Sequence, residues 1–158
     1  MAKLQKITPF LWFDKEASQA ANFYTSIFKS SKIKNSTTLH NTPSGTIEII
    51  TIELLGQEFT LMSAGPLFKF NESISFVIQC RNQREIDYYW KKLSADPKAE
   101  QCGWLKDKYG LSWQIVPTDL SKMLTDRNPE KVARVTEAFL KMKKFDIATL
   151  KRAYRGSS

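Results

Sequence analysis

Residues 102–117 read Cys102-Gly103-Trp104-Leu105-Lys106-Asp107-Lys108-Tyr109-Gly110-Leu111-Ser112-Trp113-Gln114-Ile115-Val116-Pro117. Two short apolar-alternating stretches flank a polar, glycine-containing turn, which predicts a β-hairpin. In its second strand Leu111, Trp113 and Ile115 alternate with Ser112, Gln114 and Val116. Successive side chains of a strand point to opposite faces. One face is therefore built for a core, and the other carries a hydroxyl and a carboxamide.

Working upstream, Ser73–Cys80 alternates like a half-buried strand, and residues 82–93 carry Ile86, Tyr89, Trp90 and Leu93 at helical spacing. Two or three strands are expected between about 98 and 117. The same order is written earlier in the chain. Lys6–Phe13 reads as a strand in which Pro9 predicts an edge position or an early break. Asp14 stands where a helix cap belongs, ahead of Ala20, Phe23, Tyr24, Ile27 and Phe28. Strands over 33–41, 45–55 and 57–63 follow, with Gly45 and Gly56 as turn residues. Gly65-Pro66 opens a linker over 65–72. The chain thus spells strand–helix–strands twice, a repeat of pattern rather than of residues. Beyond Thr118 the pattern turns helical: a short helix around Leu120–Leu124, and one starting at Asn128-Pro129-Glu130 with an apolar stripe of Val132, Val135, Phe139 and Met142. A last stripe is formed by Ile147, Leu150 and Tyr154. The fold class is α+β, organised as a first module over 1–65, a second over 66–118 and a helical extension over 119–158.

A chain of 158 residues, 42% hydrophobic and 25% charged, is that of an ordinary globular protein with a real core. No run approaches the roughly 18 apolar residues of a membrane span. Met1–Lys6 has no apolar stretch behind it, so no secretion signal is expected and the cytoplasm is the expected location. Cys80 and Cys102 have neither metal-type nor redox-type spacing and read as reduced thiols at strand ends. The net charge of +8 is uneven. Residues 122–158 hold ten Lys/Arg and four Asp/Glu, a net +6, whereas residues 1–121 hold fourteen and twelve, a net +2. The basic character is that of a solvated helical tail, and nucleic acid is not the expected partner.

Taken together, Ile7–Asp14 with Ala20-Ala21-Asn22-Phe23-Tyr24, Phe70–Phe76 with Glu85–Trp90, the segment 102–117, and the tail Phe139–Ala148 resemble the vicinal oxygen chelate superfamily of glyoxalase, bleomycin-resistance and extradiol dioxygenase proteins. Within it the chain is most similar to the PhnB-like branch. The resemblance covers essentially the whole chain. It implies two βαβββ modules curling into a cup for a small ligand, and a homodimer, sometimes with exchanged modules. Some branch members carry a demethylubiquinone methyltransferase label. No Gly-rich loop follows a strand and opens a helix here, as a methyl-donor nucleotide site would need.

Metal-dependent members of the superfamily place His, Glu or Gln on the first, fourth, fifth and eighth strands. Here those positions map to Ile7 or Pro9, to Thr60 or Met62, to Ser73 and to Gln114. A carboxamide, hydroxyls and apolar groups supply no anionic ligand to offset dehydration of a hard divalent ion. The lone histidine, His40, lies on another strand near a turn. No metal and no other cofactor is expected; a site drawn from Glu48, Glu53 or Glu58 remains the open alternative. No nucleophile elbow, activated thiolate or pair of inward carboxylates is legible either, so no catalytic residue is named.

By strand parity Ser73, Ser75, Ser112 and Gln114 share the inward face, while Ile74, Phe76 and Ile78, with Leu111, Trp113 and Ile115, take the core along with Trp90. Met62 and Trp104 add polarisable and aromatic surface. Such a site suits a neutral or aromatic small molecule. The leading reading is a metal-free small-molecule-binding homodimer. A metal-dependent lyase, isomerase or dioxygenase of the same superfamily is the alternative. A third reading makes the basic C-terminal helices a surface for nucleic acid or an acidic partner, with residues 122–158 removable at no cost to the cup.

Overall fold

A computed structural model describes residues 3–157. Met1, Ala2 and Ser158 lie outside the described residues, and with them the start of the Met1–Lys6 segment read above for a secretion signal. The chain divides between Phe70 and Asn71 into two compact units.

In the first unit, strand β1 (Phe10–Phe13) leads into helix α1 (Ala17–Ile27), then β2 (Ser31–Thr42), β3 (Gly45–Leu54) and β4 (Gln57–Ser63). The sheet order is β1-β4-β3-β2, with β1 parallel to β4 and the other pairs antiparallel. Pro9 does break the strand early: β1 begins at the next residue and sits at the sheet edge, where a missing N–H costs no ladder bond. Leu11, Phe13, Ile50, Ile52, Phe59 and Leu61 are buried, as are Ala17, Ala20, Ala21, Tyr24 and Ile27 of the helix. Three small alanines let the helix lie close to the sheet. The cap differs from the expected one. Asp14 precedes the helix by three residues and caps nothing; the Ala17 N–H is instead satisfied by Ser63 Oγ at 2.9 Å. The segment after β4 turns back over β1, with Trp12 edge-on to Phe68 (5.0 Å) and Phe13 edge-on to Phe70 (5.2 Å). Trp12 Nε1 donates to the Gly65 carbonyl at 2.8 Å.

The second unit runs β5 (Ser75–Cys80), α2 (Gln83–Leu93), β6 (Trp104–Lys106), β7 (Ser112–Pro117), and helices α3 (Leu120–Leu124), α4 (Pro129–Leu140) and α5 (Ile147–Arg155). Its sheet has three strands in the order β5-β7-β6, parallel between β5 and β7 and antiparallel between β7 and β6. Of the two or three strands expected between about 98 and 117, two form among the described residues. Where a third would begin, Asp96 accepts a bond from Lys98 N and opens a single 3-10 turn at Pro97–Ala99, followed by an isolated bridge between Gln101 and Trp104. Proline cannot donate to a ladder, and the Asx turn satisfies its neighbours locally. Helix α2 is capped by Asn82 Oδ1, which accepts from Glu85 N at 2.9 Å. It packs on all three strands through Ile86 and Leu93. Trp113 is buried as expected, whereas Trp90 is half-buried and Ile74, just ahead of β5, is exposed.

The C-terminal helices belong to this unit. The backbone N–H groups of Cys102 and Gly103 donate to the carbonyls of Met142 (2.9 Å) and Lys143 (2.8 Å). Gln83 of α2 donates to the Phe145 carbonyl at 2.9 Å and accepts from Ile147 N at 2.9 Å. The α4–α5 connection thus covers the end of the β6–β7 hairpin and is pinned to α2. Among the described residues no helix is long and apolar enough to cross a membrane.

Candidate functional site

The hairpin at 102–117 is held from inside by one acid. Asp107 is 3% exposed; its Oδ1 accepts from Tyr109 N (2.8 Å) and Leu111 N (3.1 Å), and its Oδ2 from Trp113 Nε1 (2.9 Å). These bonds fix the turn and swing the Trp113 ring to the side that packs on α2. The other face of β7 is thereby left for Ser112, Gln114 and Val116.

The strand register groups what stands on that face. Ser75, Ser112 and Lys106 lie side by side across β5, β7 and β6, and Val77, Gln114 and Trp104 form the next row. Gln114 Nε2 donates to Ser75 Oγ at 2.9 Å, across the two strands. Ser112 is 1% exposed, and its hydroxyl has no hydrogen-bond partner among the described residues. Buried hydroxyls are normally paired, so this one stands out, although it lies beneath the accessible surface of the face. Lys106 pairs with Glu72, which lowers the Glu72 pKa through the hydrogen bond to the ammonium. The rim is charged but neutral in sum. Trp104 is half-buried and Val77 half-exposed.

Four of the six expected site residues, Ser75, Ser112, Gln114 and Trp104, are brought onto this one face. Ser73 falls outside it, on an exposed turn ahead of β5, where its N–H and hydroxyl both donate to Asn71 Oδ1. Met62 belongs to β4 of the first unit, half-buried in a row with Trp12 and Ile49. Lys106, Glu72 and Val77 were missed by the sequence reading. Parity counted two residues on from Trp104 finds Lys106, whereas Glu72 reaches the face only through the turn before β5.

The donor set does not fit the superfamily's divalent ion. Ile7 is exposed and apolar, Ser73 is turned to Asn71, and Gln114 offers an amide already hydrogen-bonded at its nitrogen. Among the described residues no three His, Cys, Asp or Glu side chains gather as a metal site. Glu58 pairs with Lys34, and Glu53 stands directly across from Glu58. Glu48 lies on the opposite face of β3 from Glu53, one of its carboxylate oxygens buried without a partner. His40 is exposed, its Nδ1 3.2 Å from Thr46 Oγ1. Both cysteines are free; Cys80 is fully buried, and burial, with Glu85 nearby, pushes its thiol up to about 12, while Cys102 is half-buried.

The family described as 3-demethylubiquinone-9 3-methyltransferase matches residues 5–116. The PhnB protein of Bacillus cereus, whose structure bears the same description, is 33% identical over 72% of this chain and 100% of its own, with a TM-score of 0.60. A mutant of the fosfomycin resistance protein FosX from Listeria monocytogenes shares the fold at 16% identity, over 79% of this chain and 99% of its own, with a TM-score of 0.54. No curated protein matches the sequence. The matched span takes in both sheets, α1, α2 and the β6–β7 hairpin, and stops before the C-terminal helices. The chain belongs to this PhnB-like family, within the vicinal oxygen chelate superfamily of glyoxalase and bleomycin-resistance proteins.

Proposed function

We propose that the protein is a metal-free, homodimeric small-molecule-binding protein of the cytoplasm, and that the face carrying Ser75, Ser112 and Gln114 contributes its ligand site. The observation that carries this reading is the half-buried polar pair on that face, Gln114 Nε2 donating to Ser75 Oγ with Trp104 beside it. Trp104 in the adjoining row provides an aromatic surface, so a neutral molecule with a ring and one or two hydrogen-bonding groups suits the site. The donor chemistry favours binding without a chelated ion, because an amide and hydroxyls do not replace the hydration of a divalent cation. Support for a second copy comes from exposed apolar side chains, among them Leu67, Phe68, Ile74 and Val77, and from β2, an exposed twelve-residue edge strand.

Native mass spectrometry and elemental analysis of protein purified without chelators test the reading. The expected result is a dimer that carries an organic ligand and less than stoichiometric metal. Ser75→Ala and Gln114→Leu should each weaken rebinding of that ligand by about tenfold. Stoichiometric tightly held metal, or ligand affinity indifferent to both substitutions, would overturn it.

A further inference from the structure

Outside the matched family span, α3 and α5 border an open-mouthed cavity of about 260 Å³ lined by Asp119, Lys122, Met123, Lys151, Tyr154 and Arg155. Met123 is buried and Tyr154 half-buried, whereas Lys122, Lys151 and Arg155 are exposed. The hollow thus has an apolar and aromatic floor and a cationic rim. Its three cations face one carboxylate, and none of them makes an ion pair or side-chain hydrogen bond among the described residues. The nearby acid that could neutralise them is committed elsewhere. Asp126 accepts from the Tyr154 hydroxyl and from Asn128 N, and Lys131 sits 4.8 Å over the Tyr154 ring.

Basic residues near a helix C-terminus often do no more than answer its exposed carbonyls. At the end of α5 those carbonyls are already taken. Arg134 donates from Nε to the Ala153 carbonyl (2.8 Å) and from Nη2 to the Tyr154 carbonyl (3.0 Å), and Gly156 N and Ser157 N donate to the Arg152 carbonyl. Lys151 and Arg155 are left to serve something else.

We infer that this cavity is a second binding site, for a small organic anion: a phosphate monoester with a short apolar or aryl body, its phosphoryl group on Lys122, Lys151 and Arg155 and its body on Met123 and Tyr154. A dianionic phosphoryl group matches the surplus of positive charge on the rim, and Arg155 can take two of its oxygens at once. The volume admits a single ring and its phosphoryl group.

Phenyl phosphate, titrated into isotope-labelled full-length protein at low salt and followed by amide NMR, provides the test. Shifts should concentrate in α3 and α5 and saturate at or below the millimolar range, with inorganic phosphate binding more weakly. Lys122→Gln, Lys151→Gln and Arg155→Gln should each weaken phenyl phosphate by about tenfold, while Lys32→Gln, on the other unit, changes nothing. All four residues are exposed, so the folded spectrum is expected to persist in every variant. The inference fails if no α3 or α5 amide moves up to about 10 mM ligand, if Lys32→Gln weakens binding equally, or if inorganic phosphate binds as tightly as phenyl phosphate. It also fails if duplex DNA or an acidic peptide occupies these residues and phenyl phosphate does not compete.

Discussion

Asp107 is a charged residue of the turn that the fold buries, and its three accepted hydrogen bonds explain why the hairpin tolerates it. Asp107→Ala would strand the Trp113 indole N–H and two backbone N–H groups away from water, at about 3 kcal/mol or more. Urea denaturation followed by Trp fluorescence should show that loss, with Asp107→Asn falling between the two. Cys80 makes a different demand. Its thiol is raised from 9.0 to about 12 in the fold, so the folded state keeps its proton while an unfolded chain releases it. The stabilisation is complete below about pH 9 and drains away as pH climbs toward 12. Wild-type protein should therefore lose more stability than Cys80→Ala between about pH 8 and pH 10.5, measured by denaturant midpoint. Equal losses would remove Cys80 from the account.

At the level of elements, the junction between the hairpin and the helical tail turns on Gly103. Its φ of +83° follows a Cys102 φ of +51°, a tight two-residue reversal between Gln101 and Trp104. A Cβ at Gly103 would come within 2.5 Å of the Phe145 ring and 3.1 Å of the Ile115 carbonyl. Gly103→Ala thus combines left-handed strain with a clash against a buried ring, and a loss of about 2 kcal/mol or more is expected. Phe145 would be displaced, so limited proteolysis should cut between residues 141 and 146 in the variant sooner than in wild type. The same junction corrects the expectation that residues 122–158 could be removed without cost. The tail supplies carbonyl acceptors to Cys102 and Gly103 and partners to both ends of the Gln83 amide. It is part of the second unit's structure.

Across the whole molecule, elements with strong periodicity were legible from the residues. The strand spans 45–55 and 57–63, the helix at 82–93 and the Asn128-Pro129 helix start fall within a residue or two of Gly45–Leu54, Gln57–Ser63, Gln83–Leu93 and Pro129–Leu140. Alternation of period two and apolar spacing of 3.6 are local signals that burial on one face imposes. The Asp14 cap was misread, and of the two or three strands expected between about 98 and 117 two form, because the cap depended on a partner distant in sequence and a local turn stands where a third strand would begin. Ser63 reaches Ala17 across 46 residues, and Asp96 satisfies that turn.

The sequence by itself determined the α+β class, the twofold strand–helix–strands order, the family, and the side of β7 on which Ser112 and Gln114 stand. All of these follow from pattern along the chain and need no knowledge of neighbours. Only tertiary structure decided that Ser75, Lys106 and Trp104 share that face while Ser73 does not, since register between β5, β7 and β6 is a relation between strands. Only tertiary structure likewise revealed that the Ser112 hydroxyl is buried without a partner among the described residues, and that the basic tail borders a cavity instead of presenting a plain charged face. Hydrogen-bond satisfaction and concavity are properties of what surrounds a side chain, and those surroundings are assembled from residues far apart in the chain.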